Sequence, residues 1–322
     1  MSGLTRTRGL QHDALFFSDE QMLASAIVPF IREGLDRREV VFLGCSGHPV
    51  FPLLGALFGD EPGVRFVDLG RPTRPVTVID YYQRAMDAEL RQGVTGFRAV
   101  GFVEFQDVGA HWVESLRYEA ALNLVFTSYP LSTMCLWDLR RLPDGHAPAY
   151  RAAHPGIFGP TGRRPNEEYV EPDELVRRPE YQPQPDPAQA GPPDFEADVG
   201  EDLRPLRMEL YPLALSSHMS SEKVDDFIKA VGGVVLNACV HGTGTARLRL
   251  WAQPQKLVCT ITDRGPGIDD PFLGYAKPAA VRPGEESGSA GGFGMWAARQ
   301  LCDSLDYASE ADGFTVRLVS RD

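Results

Sequence analysis

Two short runs near the C-terminus combine an amide, a carboxylate and closely spaced glycines. The first, residues 236–242, carries Asn237 within a helical pattern, and the second, residues 263–268, begins with Asp263 directly after an apolar strand. The side-chain oxygen of an asparagine on a helix can complete the shell of a Mg²⁺ ion that also holds phosphate oxygens. A carboxylate at a strand end can accept a hydrogen bond from an amino group such as that of adenine.

A third run, residues 291–296, places glycines directly before another helix. Glycine lets backbone N–H groups come close to phosphate oxygens, and the positive end of a following helix adds to the attraction. The glycines concerned in the last two runs are Gly265, Gly267, Gly292 and Gly294. Three such runs in this order, each about 25 residues apart, are a specific signal for a nucleotide site. The alternative is that the glycines form only turns and that Asn237 is a satisfied helix amide.

This constellation, spanning about residues 203–322, resembles the GHKL nucleotide-binding fold of gyrase, MutL repair proteins and histidine kinases. Its compact form is most similar to the anti-sigma-factor serine kinases. The resemblance implies ATP and Mg²⁺ as cofactors, with Asn237 as the Mg²⁺ ligand and Asp263 as the reader of adenine. It further implies that Gly265 and Gly267 hinge the lid and that Gly292 and Gly294 face the phosphates. Thr315 would lie near adenine.

One position departs from the family pattern. The family has a glutamate one helical turn before the asparagine, where it acts as general base, and this chain has Gly233. General-base help is typically worth about 10²–10⁴ in rate. Asp225 and Asp226 lie two or more turns upstream and are poor substitutes. We therefore expect nucleotide binding with impaired phosphoryl transfer.

The C-terminal segment is predicted to form an α/β sandwich with helices on one sheet face. Its predicted elements are a strand near 203–210, a helix at 221–240, a hairpin at 246–251 and 257–262, a helix at 295–305 and a hairpin at 306–319. Residues 269–290 are rich in Pro, Gly, Ser and Glu and show no periodicity, which is typical of an active-site lid.

Residues of about 10–160 alternate apolar strand patterns with amphipathic helix patterns. The run at 39–45 is continuously apolar, as in a central parallel strand. This alternation predicts an open, mostly parallel α/β sheet covered on both faces. The turn at 44–48 has no lysine and no phosphate-loop pattern, so a nucleotide is not expected here.

Several polar residues of this region resemble the MEDS sensory domain of methanogen and methylotroph regulators, which implies binding of a small organic signal. The residues that carry the resemblance are His12, Arg117, Glu119, Asn123, Cys135, Asp138 and His154. Independently, Cys135 and Asp138 stand at a strand end, where open α/β sheets bind ligands. The other interpretation is a salt-bridged helix and a buried thiol. A metal site made of His12, Cys135 and His154 is a further alternative, without supporting spacing.

Between these regions, about residues 161–202, prolines alternate with charged and amide residues. This composition predicts a semi-extended acidic linker, with a docking peptide as the alternative. The net charge of −12 argues against nonspecific DNA binding. The five cysteines are scattered, and no apolar signal or membrane-spanning run is present, so we expect a reduced cytoplasmic protein without a membrane or nucleic-acid partner.

Together these features favour a bacterial signalling regulator. An anti-sigma-like ATP-binding module would be controlled by a small-molecule-sensing N-terminal domain. Its implied partners are a sigma factor or an anti-anti-sigma (STAS) protein, and a homodimer through the sheet is a further expectation. The alternative is an active ATP-dependent serine kinase that phosphorylates the STAS partner. A histidine kinase is not favoured, because no long helical pair with a phosphoacceptor histidine precedes the ATP domain.

Overall fold

The computed structural model describes residues 9–44, 48–68, 74–102, 108–159, 162–278, 292–310 and 313–321. The chain divides into two compact units, Met1–Tyr181 and Gln182–Asp322. Cys45, Gly291 and the greater part of the predicted lid, residues 279–290, lie outside the described residues. Within the described part, no helix combines the length and apolarity needed to cross a bilayer.

The N-terminal unit is built on a seven-stranded sheet of order β3-β2-β4-β5-β1-β6-β7. All neighbouring strands are parallel except β6 and β7. The strands are β1 Gln11–Phe17, β2 Val40–Gly44, β3 Val64–Phe66, β4 Phe97–Gly101, β5 Leu131–Asp138, β6 Gly156–Gly159 and β7 Gly162–Pro165. The predicted open, mostly parallel sheet is confirmed.

Helices cover both faces of this sheet. They are α1 Glu20–Asp36, α2 Val50–Phe58, α3 Pro75–Arg91, α4 Val108–Val125, α5 Ala147–Ala152 and α6 Pro172–Arg177. Buried residues of α1 and α2 form one core with alternate side chains of β1, β2, β4 and β5. On the opposite face Tyr82 of α3 meets Phe42 of β2, with ring centroids 5.5 Å apart. Because successive strand residues point to opposite faces, each strand supplies both cores.

The C-terminal unit has a five-stranded antiparallel sheet of order β11-β12-β10-β9-β8, with the main helices packed on one face. Its elements are β8 Phe195–Val199, α7 Leu203–Leu215, α8 Ser221–His241, β9 Ala246–Gln253, β10 Lys256–Asp263, α9 Phe293–Leu301, β11 Ser304–Glu310 and β12 Gly313–Arg321. A two-residue turn joins β9 to β10, and Gln255 adopts a positive φ of 56° there. The predicted α/β sandwich and its first hairpin are confirmed.

Two predicted elements are wrong in detail. The stretch predicted as a strand near 203–210 is the start of helix α7, which Asp202 caps by accepting a hydrogen bond from the backbone N–H of Arg204. Its buried residues Leu206, Leu210 and Ala214 follow a four-residue helical spacing that the strand assignment missed. The last helix also ends at Leu301 rather than at residue 305, and β11 begins at Ser304.

The proline-rich segment 161–202 is not an extended linker along its described length. Strand β7 pairs with β6, and helix α6 buries Leu175 and Val176 in the N-terminal unit. In the C-terminal unit a short 3₁₀ helix, Pro187–Ala190, packs on the sheet face opposite the main helices. There Ala188 joins a buried cluster whose other members are Trp251, Val258 and Val319.

Polar contacts hold this covering segment in place. The carboxylate of Asp186 lies 2.5 Å from the Lys256 ammonium and caps the 3₁₀ helix by accepting from the Ala188 N–H. The indole N–H of Trp251 donates to the Gly191 carbonyl at 3.0 Å. Proline restricts the unfolded chain, so a proline-rich segment loses less conformational entropy when it becomes ordered. A few apolar contacts are therefore enough to hold it against the sheet. The segment therefore covers part of the second face of the sheet within its own unit.

Candidate functional site

Asp263 stands at the end of β10 in a cup made by two glycines. Its Oδ1 accepts a hydrogen bond from the Gly265 backbone N–H at 2.6 Å. A Cβ atom at Gly242 or at Gly265 would lie 2.8 or 2.7 Å from that same oxygen, so only glycine fits at both positions. The turn thus fixes the carboxylate through one oxygen and leaves Oδ2 to receive a ligand donor.

Asn237 lies half-buried on α8 and faces the start of α9. A Cβ atom at Gly294 would come within 2.7 Å of the Asn237 Nδ2 and 2.8 Å of the Gly233 carbonyl oxygen. Gly294 is therefore required for close packing of the two helices, and it brings the amide beside the N-terminus of α9. Backbone N–H groups at a helix N-terminus attract phosphate, and an amide oxygen beside them suits a metal bound to that phosphate.

The turn after Asp263 and the segment before α9 are also positioned by glycines. Gly267 has a φ of +77° and packs against the Phe314 ring, where a Cβ would stand 2.9 Å from a ring carbon. Gly274 has a φ of +86° and lies directly against the backbone of α9. The buried Arg299 donates to the Leu273 carbonyl at 3.1 Å. These contacts anchor the described first part of the predicted lid, residues 269–278. Arg299 was not among the residues predicted from the sequence.

Thr315 does not join this group. In the β10–β12 ladder Asp263 is paired with Phe314, and Thr262 is paired with Thr315. Directly paired residues share a face, so Thr315 points to the opposite face from Asp263. Its hydroxyl is 2.8 Å from that of Thr262. The expected place of Thr315 near adenine is therefore corrected to a structural pair on the second face of the sheet.

The helix position of the usual general base is Gly233, which has no side chain. Gly233 lies on α8 one turn before Asn237, with the Gly294 backbone on its open side. Asp226 pairs with Lys229 at 3.2 Å, and Asp225 binds Tyr211. At about 1.5 Å rise per residue, Asp226 is roughly 10 Å along the helix from Gly233. Neither carboxylate substitutes for the missing base.

A second group of functional side chains lies in the N-terminal unit. His12 of β1 places its Nε2 3.2 Å from Glu119 Oε2 and 3.3 Å from Cys135 Sγ. The Nε2 of His154 is also 3.2 Å from Glu119 Oε2. All four side chains are buried, and we refer to them as the His₂GluCys cluster. Asn123 approaches His12 from behind, with its Oδ1 3.0 Å from Nδ1.

Burial and neighbouring groups set the charges in this cluster. Burial and the nearby His154 lower the pKa of His12. Burial raises the pKa of Glu119, but its contacts with His12 and His154 outweigh burial and bring that pKa to about 2. Burial, reinforced by the Glu119 charge, raises the pKa of the Cys135 thiol. The cluster therefore presents an ionised carboxylate beside a neutral imidazole.

Two of the predicted sensory residues do not join the cluster. Asp138 lies three residues after Cys135 on β5 and therefore points to the other face of the sheet. There it binds Arg140, with Oδ2 2.7 Å from Nη2, and this interaction lowers the pKa of Asp138. Arg117 is buried on α4 but is not part of the cluster.

A small cavity adjoins the cluster between α3, α4 and the sheet. Its volume is about 40 Å³, and Glu119 and Cys135 form part of its wall. Aromatic and apolar side chains, among them Tyr82, Tyr118 and Phe126, form much of the remainder. A cavity of this size holds a molecule of only a few non-hydrogen atoms.

Comparison with known families agrees with this division of the chain. Residues 11–155 match the family model of the methanogen/methylotroph, DcmR sensory domain, MEDS. Residues 195–320 match that of the histidine kinase-like ATPase domain. The chain joins a MEDS domain to a histidine kinase-like ATPase domain. The ATPase match begins at Phe195, the first residue of β8.

Two solved structures align with part of this chain. The RsbU and RsbW domains of a Mycobacterium tuberculosis protein align at 16% identity and a TM-score of 0.27, covering 40% of this chain and 32% of that one. An uncharacterized Pyrococcus horikoshii protein, in complex with an unknown peptide, aligns at 12% identity and a TM-score of 0.32, covering 48% and 81%. This chain thus spans about a third of the first structure's length. A search of curated proteins gave no match.

Proposed function

We propose that this protein is a signalling regulator whose ATPase-like domain binds Mg²⁺–ATP without efficient phosphoryl transfer. The observation that supports this is a firmly held carboxylate and amide beside a helix position that lacks the usual base. Asp263 is held in its glycine cup and Asn237 is packed beside the N-terminus of α9. Gly233, at the same helix contact, offers no proton acceptor. Binding needs only the first two features, whereas transfer to a hydroxyl also needs the third.

The output of such a domain would be a protein surface that changes with bound nucleotide. The proposed partners are a sigma factor or an anti-anti-sigma protein of the STAS type, because sequestering a partner requires binding rather than turnover. The outer face of the sheet, which is partly covered, is relevant to the expected homodimer. Residues 186–191 already occupy part of that face, through Ala188 and the Trp251 contact. A dimer through the sheet would have to accommodate or displace them.

The proposed input is a small organic molecule bound by the MEDS domain. The cavity of about 40 Å³ beside Glu119 and Cys135 supports this role, because its mostly apolar wall also offers polar groups that can orient a ligand. Ligand binding there would have to change the free energy of nucleotide or partner binding in the ATPase domain. By linkage, nucleotide or partner binding would then change the affinity for the small molecule by the same factor.

Calorimetric titration of the full chain with Mg²⁺–ATP tests the proposed function. Asp263→Asn keeps the side-chain shape but places an amide where the ligand amino group must donate. Losing a hydrogen bond to a charged acceptor costs about 1.5–3 kcal/mol, which is roughly a 10–150-fold loss of affinity. The matched control is Asp226→Asn, which removes a carboxylate of the same domain outside the site.

The outcomes separate the candidate functions. Binding by the wild type and by Asp226→Asn, with weak binding by Asp263→Asn and no ADP formed, is the expected result. Comparable binding with steady ADP formation would instead favour the serine-kinase function. Equal titration curves for all three proteins, or no heat of binding in any of them, would contradict nucleotide recognition at Asp263.

A further inference from the structure

The His₂GluCys cluster has a geometry that its own hydrogen bonds do not explain. Its four ligand atoms all lie within 4.8 Å of one another. The side chains of His12 and His154 are fully buried, and that of Glu119 is 5% exposed. Four chain segments far apart in sequence supply them: β1, α4, β5 and the residues after α5. Water therefore has almost no access to the point on which they converge.

The tautomers of both histidines follow from their outer contacts. His154 Nδ1 lies 2.7 Å from the Tyr150 carbonyl oxygen, which can only accept, so Nδ1 must carry the hydrogen. His12 Nδ1 lies 3.0 Å from Asn123 Oδ1. The amide of Asn123 is held in that orientation because its Nδ2 donates to the Ala153 carbonyl at 2.8 Å. In each neutral ring, therefore, Nε2 is left with a lone pair.

Both of these lone pairs face the carboxylate of Glu119. Nε2 of His12 and of His154 each stand 3.2 Å from Glu119 Oε2. For His154 the contact lacks hydrogen-bond alignment, and its Nε2 has no other hydrogen-bond partner. Acceptors crowded together in a buried site repel one another unless a cation lies among them. A metal ion at the point where these acceptors converge would supply that positive charge.

The separations and the ligand types both suit a metal ion. A tetrahedral ion bound at about 2.0–2.3 Å places its ligand atoms roughly 3.3–3.6 Å apart. The contacts of 3.2 Å from each Nε2 to Glu119 and 3.3 Å from His12 to Cys135 are close to these values. The other pairs lie within 4.8 Å and would contract around the ion. Two imidazoles, a thiolate and a carboxylate are ligands that zinc accepts.

Charge balance and the outer contacts point the same way. A divalent ion with one carboxylate and one thiolate has no net charge, which a buried site tolerates best. Metal-bound histidines usually donate their second ring N–H to a carbonyl or similar acceptor, as His12 and His154 do with Asn123 and Tyr150. Binding would release the proton of the Cys135 thiol.

We propose that His12, Glu119, Cys135 and His154 form a tetrahedral binding site for Zn²⁺. Asn123 and the Tyr150 carbonyl orient the two imidazoles. Glu119 and Cys135 also border the cavity of about 40 Å³, so a small molecule in that cavity lies next to two of the metal's ligands. The metal site does not depend on nucleotide binding by the other domain, so the two proposals are tested independently.

Cobalt substitution of the full chain tests the proposal directly. The protein is purified without a polyhistidine tag, stripped with a chelator and titrated with Co²⁺. The expected result is one Co²⁺ per chain, with the intense visible bands of a tetrahedral ion and a sulfur-to-cobalt charge-transfer band in the near ultraviolet. A weak octahedral spectrum, or no charge-transfer band, would overturn the proposal. This measurement uses the unmodified chain and so remains decisive if a variant fails to fold.

Variants then assign the ligands. Cys135→Ser should abolish the charge-transfer band, and His154→Gln should lower bound Zn²⁺, measured by elemental analysis, from one per chain to less than about 0.2. The matched controls are Cys239→Ser and His48→Gln, which alter a buried thiol and a buried histidine outside the cluster. Metal retained by the cluster variants, or lost equally from the controls, would assign the ion to another place and refute the site.

Discussion

Replacing glycine by alanine should change stability in opposite directions at the two sides of the helix contact between Gly233 and Gly294. A Cβ at Gly233 would meet the Gly294 backbone at 3.6 and 3.7 Å, which is ordinary van der Waals contact. Alanine in a helix interior is favoured over glycine by about 0.8–1.0 kcal/mol. Gly233→Ala should therefore stabilise the ATPase domain by roughly 0.5–1 kcal/mol and raise its Tm by about 2–4 °C.

At Gly294 the added methyl has no room. It would stand 2.7 Å from the Asn237 Nδ2 and 2.8 Å from the Gly233 carbonyl, and the latter is backbone that cannot rotate away. Overpacking of this kind costs about 1–3 kcal/mol. Gly294→Ala should therefore lower the Tm of the same transition and weaken Mg²⁺–ATP binding, because Asn237 is displaced.

Differential scanning calorimetry of the full chain, with and without nucleotide, measures both variants. The transition assigned to the ATPase domain is the one that nucleotide shifts. Gly232→Ala is a useful third protein. Its methyl would meet the flexible Leu203 side chain at 3.2 Å, so its gain should be smaller than that of Gly233→Ala. Equal destabilisation by Gly233→Ala and Gly294→Ala would refute this description of the contact.

Three further predictions concern turnover, nucleotide contact and acid stability. Gly233→Glu restores a carboxylate one turn before Asn237. ATP hydrolysis by this variant should exceed the wild-type rate by at least about 10-fold, and by up to the 10²–10⁴ that is typical of a general base. An unchanged rate of phosphate release would show that more than the base is missing. Thr315→Val should leave Mg²⁺–ATP affinity within about twofold, because Thr315 points away from Asp263; a tenfold loss in calorimetry would contradict its placement. Burial raises the pKa of Asp186, but hydrogen bonds from Lys256 and the Ala188 N–H lower it further, to a net value below the ordinary one. The stabilisation by Asp186 is therefore full above the unfolded pKa of about 4 and is lost as the pH falls through the folded pKa. In urea titrations from pH 7 to 3, the free energy of unfolding should fall less steeply with acid in Asp186→Asn than in the wild type. An identical pH dependence would count against the ion pair.

The placement of the proposed nucleotide-site residues could be predicted because it depends on local structure. Asn237 and Asp263 are each fixed by their own helix or strand end, and the neighbouring glycines reveal where the backbone must turn or approach closely. The strand–helix alternation of the N-terminal unit predicted its sheet for a similar reason, because a periodic pattern specifies each element without reference to distant partners.

Features that depend on register or distant contacts could not be predicted in the same way. The position of Thr315 relative to Asp263 is set by the pairing of β10 with β12, and a shift of one residue reverses the face. The His₂GluCys cluster depends on β1 lying beside β5 and on α4 crossing above them, which no sequence spacing shows. The segment around Asp186 and Ala188 has the composition of a linker, and only its contacts with the sheet reveal that it is packed.

The fate of bound ATP tests most directly whether the proposed site of Asn237 and Asp263 binds nucleotide without using it. Full-length protein in excess is mixed with radiolabelled Mg²⁺–ATP, unbound nucleotide is removed by rapid gel filtration, and the bound nucleotide is identified over the following hour. We expect the wild type to retain intact ATP and the Gly233→Glu variant to convert the bound ATP to ADP. Rapid appearance of ADP, free phosphate or labelled protein in the wild type would contradict the claim that the site binds ATP without using it.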